Sequence, residues 1–212
     1  MRNGVYQPKI KNILSKVENL PFFSLDDLLP LERNREFLKT LLSRYERFGK
    51  ITRLKKGLYT ARTSFSSHYT EFAACLLYEP SYLSLDYMLY YHNILTEIPV
   101  NFTLVSKRKT MRFSNKLGKF FYHKIKDKLF CGFNVEKAED FYIFKATKAK
   151  ALFDFLYLRK NMLIDKKSVS ELRLNLRNLN KKDMQELAKY VKMEGSKKMG
   201  LIFTHLNDLW KS

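Results

Sequence analysis

The sequence predicts an α+β protein with two domains, and three observations lead to this fold class. The chain has 212 residues, of which 45% are hydrophobic, so it can bury a proper core. With seven glycines and five prolines, it is not dominated by linkers. Apolar residues recur at helical spacing near both ends of the chain, whereas residues 100–144 contain segments typical of strands. We therefore expect domains at 1–62 and 63–212, with the boundary in the polar stretch 63–67.

The N-terminal domain is predicted to begin with two short helices. Ser24 is placed to cap the second helix, Asp26 and Asp27 suit its first turn, and Pro30 ends it. The apolar residues at helical spacing in the first helix are Ile10, Leu14, Val17 and Leu20.

A third helix before Gly49 has the clearest periodicity in the chain. One face is apolar and consists of Leu38, Leu41, Leu42, Tyr45 and Phe48. The opposite face is polar and cationic and consists of Glu36, Thr40, Ser43 and Arg47, flanked by Lys39 and Arg44. Such a helix is suited to enter a groove of DNA, because its cationic face points away from the core of the protein.

A hairpin follows the third helix. Residues 51–54 predict a strand, Lys55, Lys56 and Gly57 a turn, and residues 58–60 the returning strand. The three helices and this basic hairpin together predict a winged helix-turn-helix, in which a helix enters the major groove and the wing contacts phosphates.

The predicted DNA-binding residues are Lys39, Thr40, Ser43, Arg44, Arg47, Arg53, Lys55 and Lys56. The competing interpretation is a small helical domain whose charged outer face is simply solvated. Residues 1–62 contain 14 Lys and Arg against six Asp and Glu, a formal balance of +8, which suits the DNA-binding interpretation.

The rest of the chain predicts a mixed α/β C-terminal domain. Helices are expected at 68–78, 85–91, 148–159, 181–191 and 196–210. Strands are expected at 80–83, 101–106, 119–125 and 141–144. Ser84 is a candidate N-cap for the helix at 85–91, Gly118 marks a turn, and residues 165–167 are expected to form a polar turn.

The formal net charge of +19 indicates a polyanionic partner, although a lysine-biased codon usage would also raise it. Residues 107–128 contain nine Lys and Arg against Asp127 alone. This segment is a candidate second surface for a polyanion or for antitoxin activity, and its candidate residues are Lys107, Arg108, Lys109, Arg112 and Lys119. The alternative is an exposed edge hairpin that lysines guard against aggregation.

Catalysis is not expected from this sequence, nor is a metal or another cofactor. The four histidines, His68, His92, His123 and His205, lack metal-ligand spacing, and there is no phosphate-binding glycine loop or nucleophile elbow. The run Asp165-Lys166-Lys167 fits only the loosest spacing of a metal-dependent nuclease.

A cytoplasmic protein with no membrane partner is expected. Cys75 and Cys131 are too few and too far apart for a zinc site or a disulfide framework, which suits a reducing compartment. The N-terminal segment lacks an apolar stretch of signal length, and no later run reaches the length of a membrane span.

Three stretches of the chain resemble the AbiEi family of antitoxins. They are Arg53 to Tyr59 in the wing, Pro80 to Asp86 continuing through Tyr91 to His92, and Lys150 to Arg159. Two sites depart from the family pattern: Lys148-Ala149 stands where a Pro-Glu pair is expected, and Asn93 stands where a Gly usually follows the histidine.

The resemblance implies an autorepressor that binds operator repeats through its N-terminal domain. It also implies an antitoxin whose C-terminal domain counters an AbiEii-type nucleotidyltransferase toxin, a partner contacted directly or functionally. Two other functions stay open: a plain transcription factor that senses a ligand in an apolar pocket of its second domain, and, with less support, a metal-dependent nuclease. The sequence does not predict the oligomeric state.

Overall fold

The computed structural model describes residues 13–211, and it confirms an α+β protein with two β-sheets. The chain folds into two compact units. The first unit contains the described residues up to Ser67 together with Ser114–Gly118, and the second contains His68–Phe113 and the residues from Lys119 onward. The domain assignment of 1–62 and 63–212 stays a prediction. No helix among residues 13–211 is both long and apolar enough to cross a membrane.

The first unit contains a three-stranded antiparallel sheet and one long helix. Residues 13–17 are helical, and Asp26–Leu28 form a 3-10 turn. The other elements are β1 (Phe23–Ser24), α1 (Arg35–Arg47), β2 (Thr52–Lys55) and β3 (Leu58–Thr60). The strand order is β1-β3-β2, so the hairpin predicted at 51–60 is present and carries a third strand on β3.

Helix α1 has well-defined ends. The Asn34 side chain accepts a hydrogen bond from the Phe37 N–H at 3.0 Å and so caps the first turn. After Phe48 the chain turns at Gly49, whose φ of +67° is a left-handed conformation that favours glycine. The core of the unit consists of Ile13, Val17, Phe23, Leu28, Leu38, Leu41, Leu42, Tyr45 and Ile51.

The second predicted helix is reduced to the 3-10 turn Asp26–Leu28. Ser24 does not cap it, because Ser24 pairs with Leu58 in the sheet and is therefore extended. Its N–H and hydroxyl instead donate to the Asp27 carboxylate, at 2.7 and 2.8 Å. Ser24 is held extended in the sheet and Pro30 cannot donate a backbone hydrogen bond, so only a single 3-10 turn forms between them. In the first helix, Ile10 lies outside the described residues and Leu20 is exposed.

The second unit contains a six-stranded mixed sheet with helices. Of these elements, only Ser67 and the residues Ser114–Gly118 belong to the first unit. Its strands are β4 (Ser81–Leu83), β5 (Phe102–Ser106), β6 (Met111–Asn115), β7 (Gly118–Lys124), β8 (Phe133–Ala138) and β9 (Phe141–Ala146), in the order β6-β7-β5-β4-β9-β8. Its helices are α2 (Ser67–Leu77), α3 (Leu85–Tyr91), α4 (Lys148–Arg159), α5 (Lys166–Ser170), α6 (Lys181–Glu194) and α7 (Lys197–Lys211), with 3-10 turns at Asp127–Leu129 and Leu176–Asn178.

Strand β4 lies near the middle of this sheet. It pairs antiparallel with β5 and parallel with β9, and Leu83 lies opposite both Leu104 and Lys145. Strand β7 pairs parallel with β5, and β8 pairs antiparallel with β9. The predicted strands are present, but β6 and β8 were missed. Both are edge strands with mostly polar or exposed residues, so their sequences lack the apolar alternation by which strands are found.

A fully buried ion pair lies within α4, and its carboxylate is hydrogen-bonded to Tyr82 of β4. The side chains of Lys150 and Asp154 are both 0% exposed, and the Lys150 ammonium donates to Asp154 Oδ1 at 2.5 Å. The other carboxylate oxygen accepts from the Tyr82 hydroxyl at 2.9 Å and from the Ser84 hydroxyl at 2.8 Å. Ser84 therefore serves this buried cluster and does not give α3 the side-chain cap that the sequence predicts. Burial raises the pKa of Asp154, and the ion pair and these hydrogen bonds oppose that shift.

The segment expected to be a polar turn at 165–167 begins a helix instead. The Asp165 carboxylate accepts from the Ser168 N–H at 2.8 Å, and the Ser168 hydroxyl accepts from the Asp165 N–H at 3.1 Å. This reciprocal pair is a capping box that starts α5. Asp165 is exposed and serves as a helix cap, so it does not have the setting of a nuclease carboxylate held on a strand.

Replacing Asp154 by Ala should lower the free energy of unfolding by about 3–5 kcal/mol, because the Lys150 ammonium would be left buried without a counter-charge. Urea unfolding followed by circular dichroism measures the change. The matched control is Lys166→Ala at an exposed site, which should change stability by less than about 0.5 kcal/mol. A loss below about 1 kcal/mol for Asp154→Ala would contradict the structural role of the pair.

Candidate nucleic-acid interface

Five of the residues predicted to bind DNA lie together on α1. Lys39, Thr40, Ser43, Arg44 and Arg47 are all exposed and line one shallow surface depression, which Phe48 completes. We call these six residues the α1 surface.

The rotation of α1 follows from its apolar residues. Leu38, Leu41, Leu42 and Tyr45 are all at most 4% exposed and point into the core of the first unit. With 3.6 residues per turn, the positions between them must point away from the core. The cationic face predicted from the sequence is thus exposed because the opposite face is buried.

The cations of the α1 surface differ in their partners. The Lys39 ammonium donates to the Glu36 carboxylate at 2.7 Å, an exposed pair that neutralises part of its charge. Arg44 and Arg47 form no ion pair with a carboxylate within residues 13–211. They lie in the last turn of α1, where cations interact favourably with the helix dipole. These two arginines therefore supply the uncompensated positive charge of the surface.

Phe48 does not lie on the buried face of α1, where the helical spacing predicts it. It is 64% exposed. The helix ends at Arg47, so Phe48 occupies the C-cap and no longer follows the helical rotation that buries Tyr45. The Arg44 guanidinium lies 5.9 Å from the centre of its ring. An aromatic residue directly before a helix-ending glycine is the signal that could have indicated this position.

The hairpin carries the other three predicted residues. Arg53 lies on β2 with an exposed side chain, because Thr52 and Leu54 on either side of it are buried and side chains alternate along a strand. Lys55 is half-buried at a register shift, and Lys56 is exposed in the turn beside Gly57, whose φ is +80°. None of these three cations lines the α1 depression, so the hairpin presents a separate cationic segment.

The second candidate surface is divided by the sheet. Lys107, Arg108 and Lys109 follow the carboxyl end of β5, where Ser106 lies opposite Lys124. Lys119 stands at the other end of β7, beside Phe120, which pairs with Phe102 at the start of β5. The structure therefore places Lys119 at the opposite end of the strands from Lys107, Arg108 and Lys109.

Three cations of this second surface lie against aromatic rings. The Arg108 guanidinium lies 4.3 Å from the centre of the Tyr78 ring and donates to the Glu79 carbonyl at 3.3 Å. Arg112 lies 5.1 Å from the Phe121 ring, and the Lys107 ammonium lies 5.2 Å from the Phe130 ring. Because β6 is an edge strand, the structure also suits the interpretation that these cations guard an edge.

The histidines occupy unrelated surroundings. Burial lowers the pKa of His92, whose Nε2 lies 3.3 Å from the Ala146 carbonyl, and burial also lowers the pKa of His123. His68 Nδ1 lies 3.3 Å from the exposed Glu139 carboxylate, and His205 is half-buried. Within residues 13–211, no group of three His, Cys, Asp or Glu side chains is arranged to hold a metal ion.

Cys75 and Cys131 are not joined in a disulfide. Burial raises the pKa of the Cys75 thiol to about 12, so this thiol stays protonated and unreactive near neutral pH.

Comparison with models of known protein families gives no match, and comparison with curated proteins gives none either. The resemblance to the AbiEi family therefore depends on the three sequence stretches alone.

Replacing Phe48 by Ala should leave the free energy of unfolding within about 0.5 kcal/mol of the wild type, because the ring is exposed. The matched variant Tyr45→Ala should lower it by about 3 kcal/mol, because that ring is 4% exposed in the core. Urea denaturation of both variants measures the difference. Similar losses from the two changes would mean that α1 is rotated differently.

Proposed function

We propose that the chain is a DNA-binding transcriptional autorepressor whose first unit is a winged helix-turn-helix. This proposal depends on one observation about α1. The helix buries its apolar residues in the core and exposes Arg44 and Arg47 on a single surface. Neither arginine has a carboxylate partner in the described part of the chain. A protein surface with uncompensated cations on an exposed helix is complementary to the phosphates and base edges of a duplex.

In this proposal α1 is the recognition helix. An α-helix with its side chains is about 10–12 Å across, which matches the width of the major groove of about 12 Å. Arg44 and Arg47 would donate to guanine or to phosphates, and Thr40 and Ser43 would contact bases or the backbone. Lys39 would contact a phosphate once Glu36 is displaced from it.

The hairpin β2–β3 has the role of the wing. Arg53, Lys55 and Lys56 would contact phosphates, which position a protein on DNA without reading its sequence. Strand β1 supports this role, because its pairing with β3 ties the hairpin to the body of the unit. The first unit departs from a full helix-turn-helix in one respect, since the 3-10 turn Asp26–Leu28 occupies the place of the second helix.

We further propose that the chain acts as an antitoxin against an AbiEii-type nucleotidyltransferase toxin in the bacterial cytoplasm. This part depends on the resemblance, and it assigns the antitoxin activity to the second unit. Co-expression of the full-length protein with the neighbouring gene tests it. Growth should be restored when the toxin is produced, and persistent growth arrest at equal expression would contradict the antitoxin role.

A ligand-sensing transcription factor is the second candidate. A cavity in the second unit is lined by polar groups that include Asp86, His123 and Arg159, with Phe121 on its wall. Asn101 also lines it, and the Oδ1 atom of this residue is buried and has no hydrogen-bond partner among residues 13–211. A small molecule that changes the DNA affinity of the full-length protein would favour this candidate.

The affinity of the full-length protein for duplex DNA from upstream of its gene should fall steeply between about 50 and 200 mM salt. Each phosphate that is neutralised adds roughly 0.9 to the negative slope of log K against log salt. Fluorescence anisotropy at several salt concentrations measures the slope. A salt-independent affinity would reject a phosphate interface.

Arg44→Ala and Arg47→Ala should each weaken specific binding by about 1–3 kcal/mol if the arginine contacts a base edge. The matched control is Lys182→Ala, which removes a cation from an exposed position of α6. Wild-type affinity in both arginine variants would place the interface elsewhere.

Changing Lys55 and Lys56 should instead weaken specific and non-specific binding alike, because phosphate contacts carry no sequence information.

A further inference from the structure

The first unit contains a segment from far along the sequence. Ser114–Gly118 belong to this unit, although about fifty residues separate them from Thr60 at the end of the hairpin. The Asn115 side chain donates from Nδ2 to the Leu54 carbonyl at 2.8 Å. Strand β2 is at the edge of the β1-β3-β2 sheet, so Asn115 satisfies a backbone acceptor that no further strand of this sheet reaches.

Asn115 also fixes the turn that follows it. Its Oδ1 accepts a hydrogen bond from the Leu117 N–H at 2.8 Å, a local bond typical of asparagine in turns. Both ends of the amide are therefore bonded, one to β2 and one to the backbone two residues later. Lys116 lies between Asn115 and Leu117, in the turn that the Asn115 side chain joins to β2.

Lys116 is exposed and forms no ion pair with a carboxylate in residues 13–211. Leu54, to whose carbonyl Asn115 donates, directly follows Arg53 on β2. The Arg53 side chain is exposed and also forms no ion pair with a carboxylate among residues 13–211. The turn that carries Lys116 is therefore bonded to a strand that presents an exposed cation, and a phosphate near both cations would be stabilised by both charges.

From this geometry we infer that Lys116 is a phosphate contact of the wing and that Asn115 is the residue that positions it. The inference rests on the proposed function, because the ligand is the backbone of the same duplex. It extends the DNA-binding set beyond residue 62, to a segment that the sequence alone assigns to the second domain. Lysine suits this role, since it contacts a phosphate as a point charge and reads no base.

The test is the salt dependence of DNA binding by full-length Lys116→Ala. Its affinity should fall for specific and non-specific duplexes alike, and the slope of log K against log salt should become shallower by about 0.9, which corresponds to one phosphate. Lys116→Arg should keep the wild-type slope. Lys182→Ala is the control for net charge and should also keep it. An unchanged slope in Lys116→Ala, or an equal change in Lys182→Ala, would overturn the inference.

Asn115→Ala tests the positioning role. It should reproduce the shallower slope although Lys116 is still present, because the turn is no longer bonded to Leu54. The double variant Asn115→Ala/Lys116→Ala should show the same slope as Lys116→Ala, since the two changes remove one contact. A wild-type slope in Asn115→Ala would overturn the positioning role.

These measurements distinguish a failure of the proposed DNA interface from a failure of the role of Lys116. If the wild type does not bind the duplex, or if Arg44→Ala and Arg47→Ala bind like the wild type, the proposed interface itself is wrong. If those variants bind weakly and Lys116→Ala does not differ from the wild type, only the role of Lys116 is wrong. The urea midpoint of each variant shows whether the fold is kept.

Discussion

The first unit depends on the burial of one apolar stripe of α1. Leu38, Leu41, Leu42 and Tyr45 are almost fully removed from water, and burying a large apolar side chain contributes about 1.5–3 kcal/mol. Turning α1 about its axis would expose this stripe and bury arginines, and an unpaired buried charge costs several kcal/mol. The cationic face is therefore held outward by the core beneath it, and any DNA-binding role of the helix follows from this packing.

The second unit depends on a polar interaction instead. Asp154 of α4 is bonded to Lys150 on its own helix and to Tyr82 and Ser84 at the end of β4. These residues lie in two of the three stretches by which the chain resembles the AbiEi family, so the two stretches meet in one buried cluster. The core of the second unit thus depends on residues from both stretches. The departure at Asn93 has a structural explanation, because its φ of +58° is a conformation that asparagine tolerates in place of glycine.

The sequence predicted those elements whose patterns depend on their own residues. Helix α4 occupies the predicted bounds, Lys148–Arg159, because nearly every position in it is apolar or a helix former and Thr147 caps it. The α1 surface was predicted for the same reason, since 3.6-residue periodicity alone separates its two faces.

Two of the missed features depend on contacts between distant residues. Ser24 becomes extended because Phe23 and Ser24 pair with β3, and no local pattern shows this. The role of Asn115 depends on Leu54, sixty-one positions earlier. The edge strands β6 and β8 bury little of either face, so their residues carry almost no periodic signal. Phe48 lies one residue beyond the helix, at the boundary that periodicity locates least well.

The central claim is that the outward face of α1 contacts DNA, and a titration of isotope-labelled full-length protein with a short duplex from upstream of its gene tests it most directly. The amide ¹H–¹⁵N signals report each residue separately. If this face contacts DNA, the signals of residues 39–48 and of the hairpin at 52–58 should shift most as duplex is added. Shifts confined to the second unit, with the α1 signals unmoved at saturation, would contradict it.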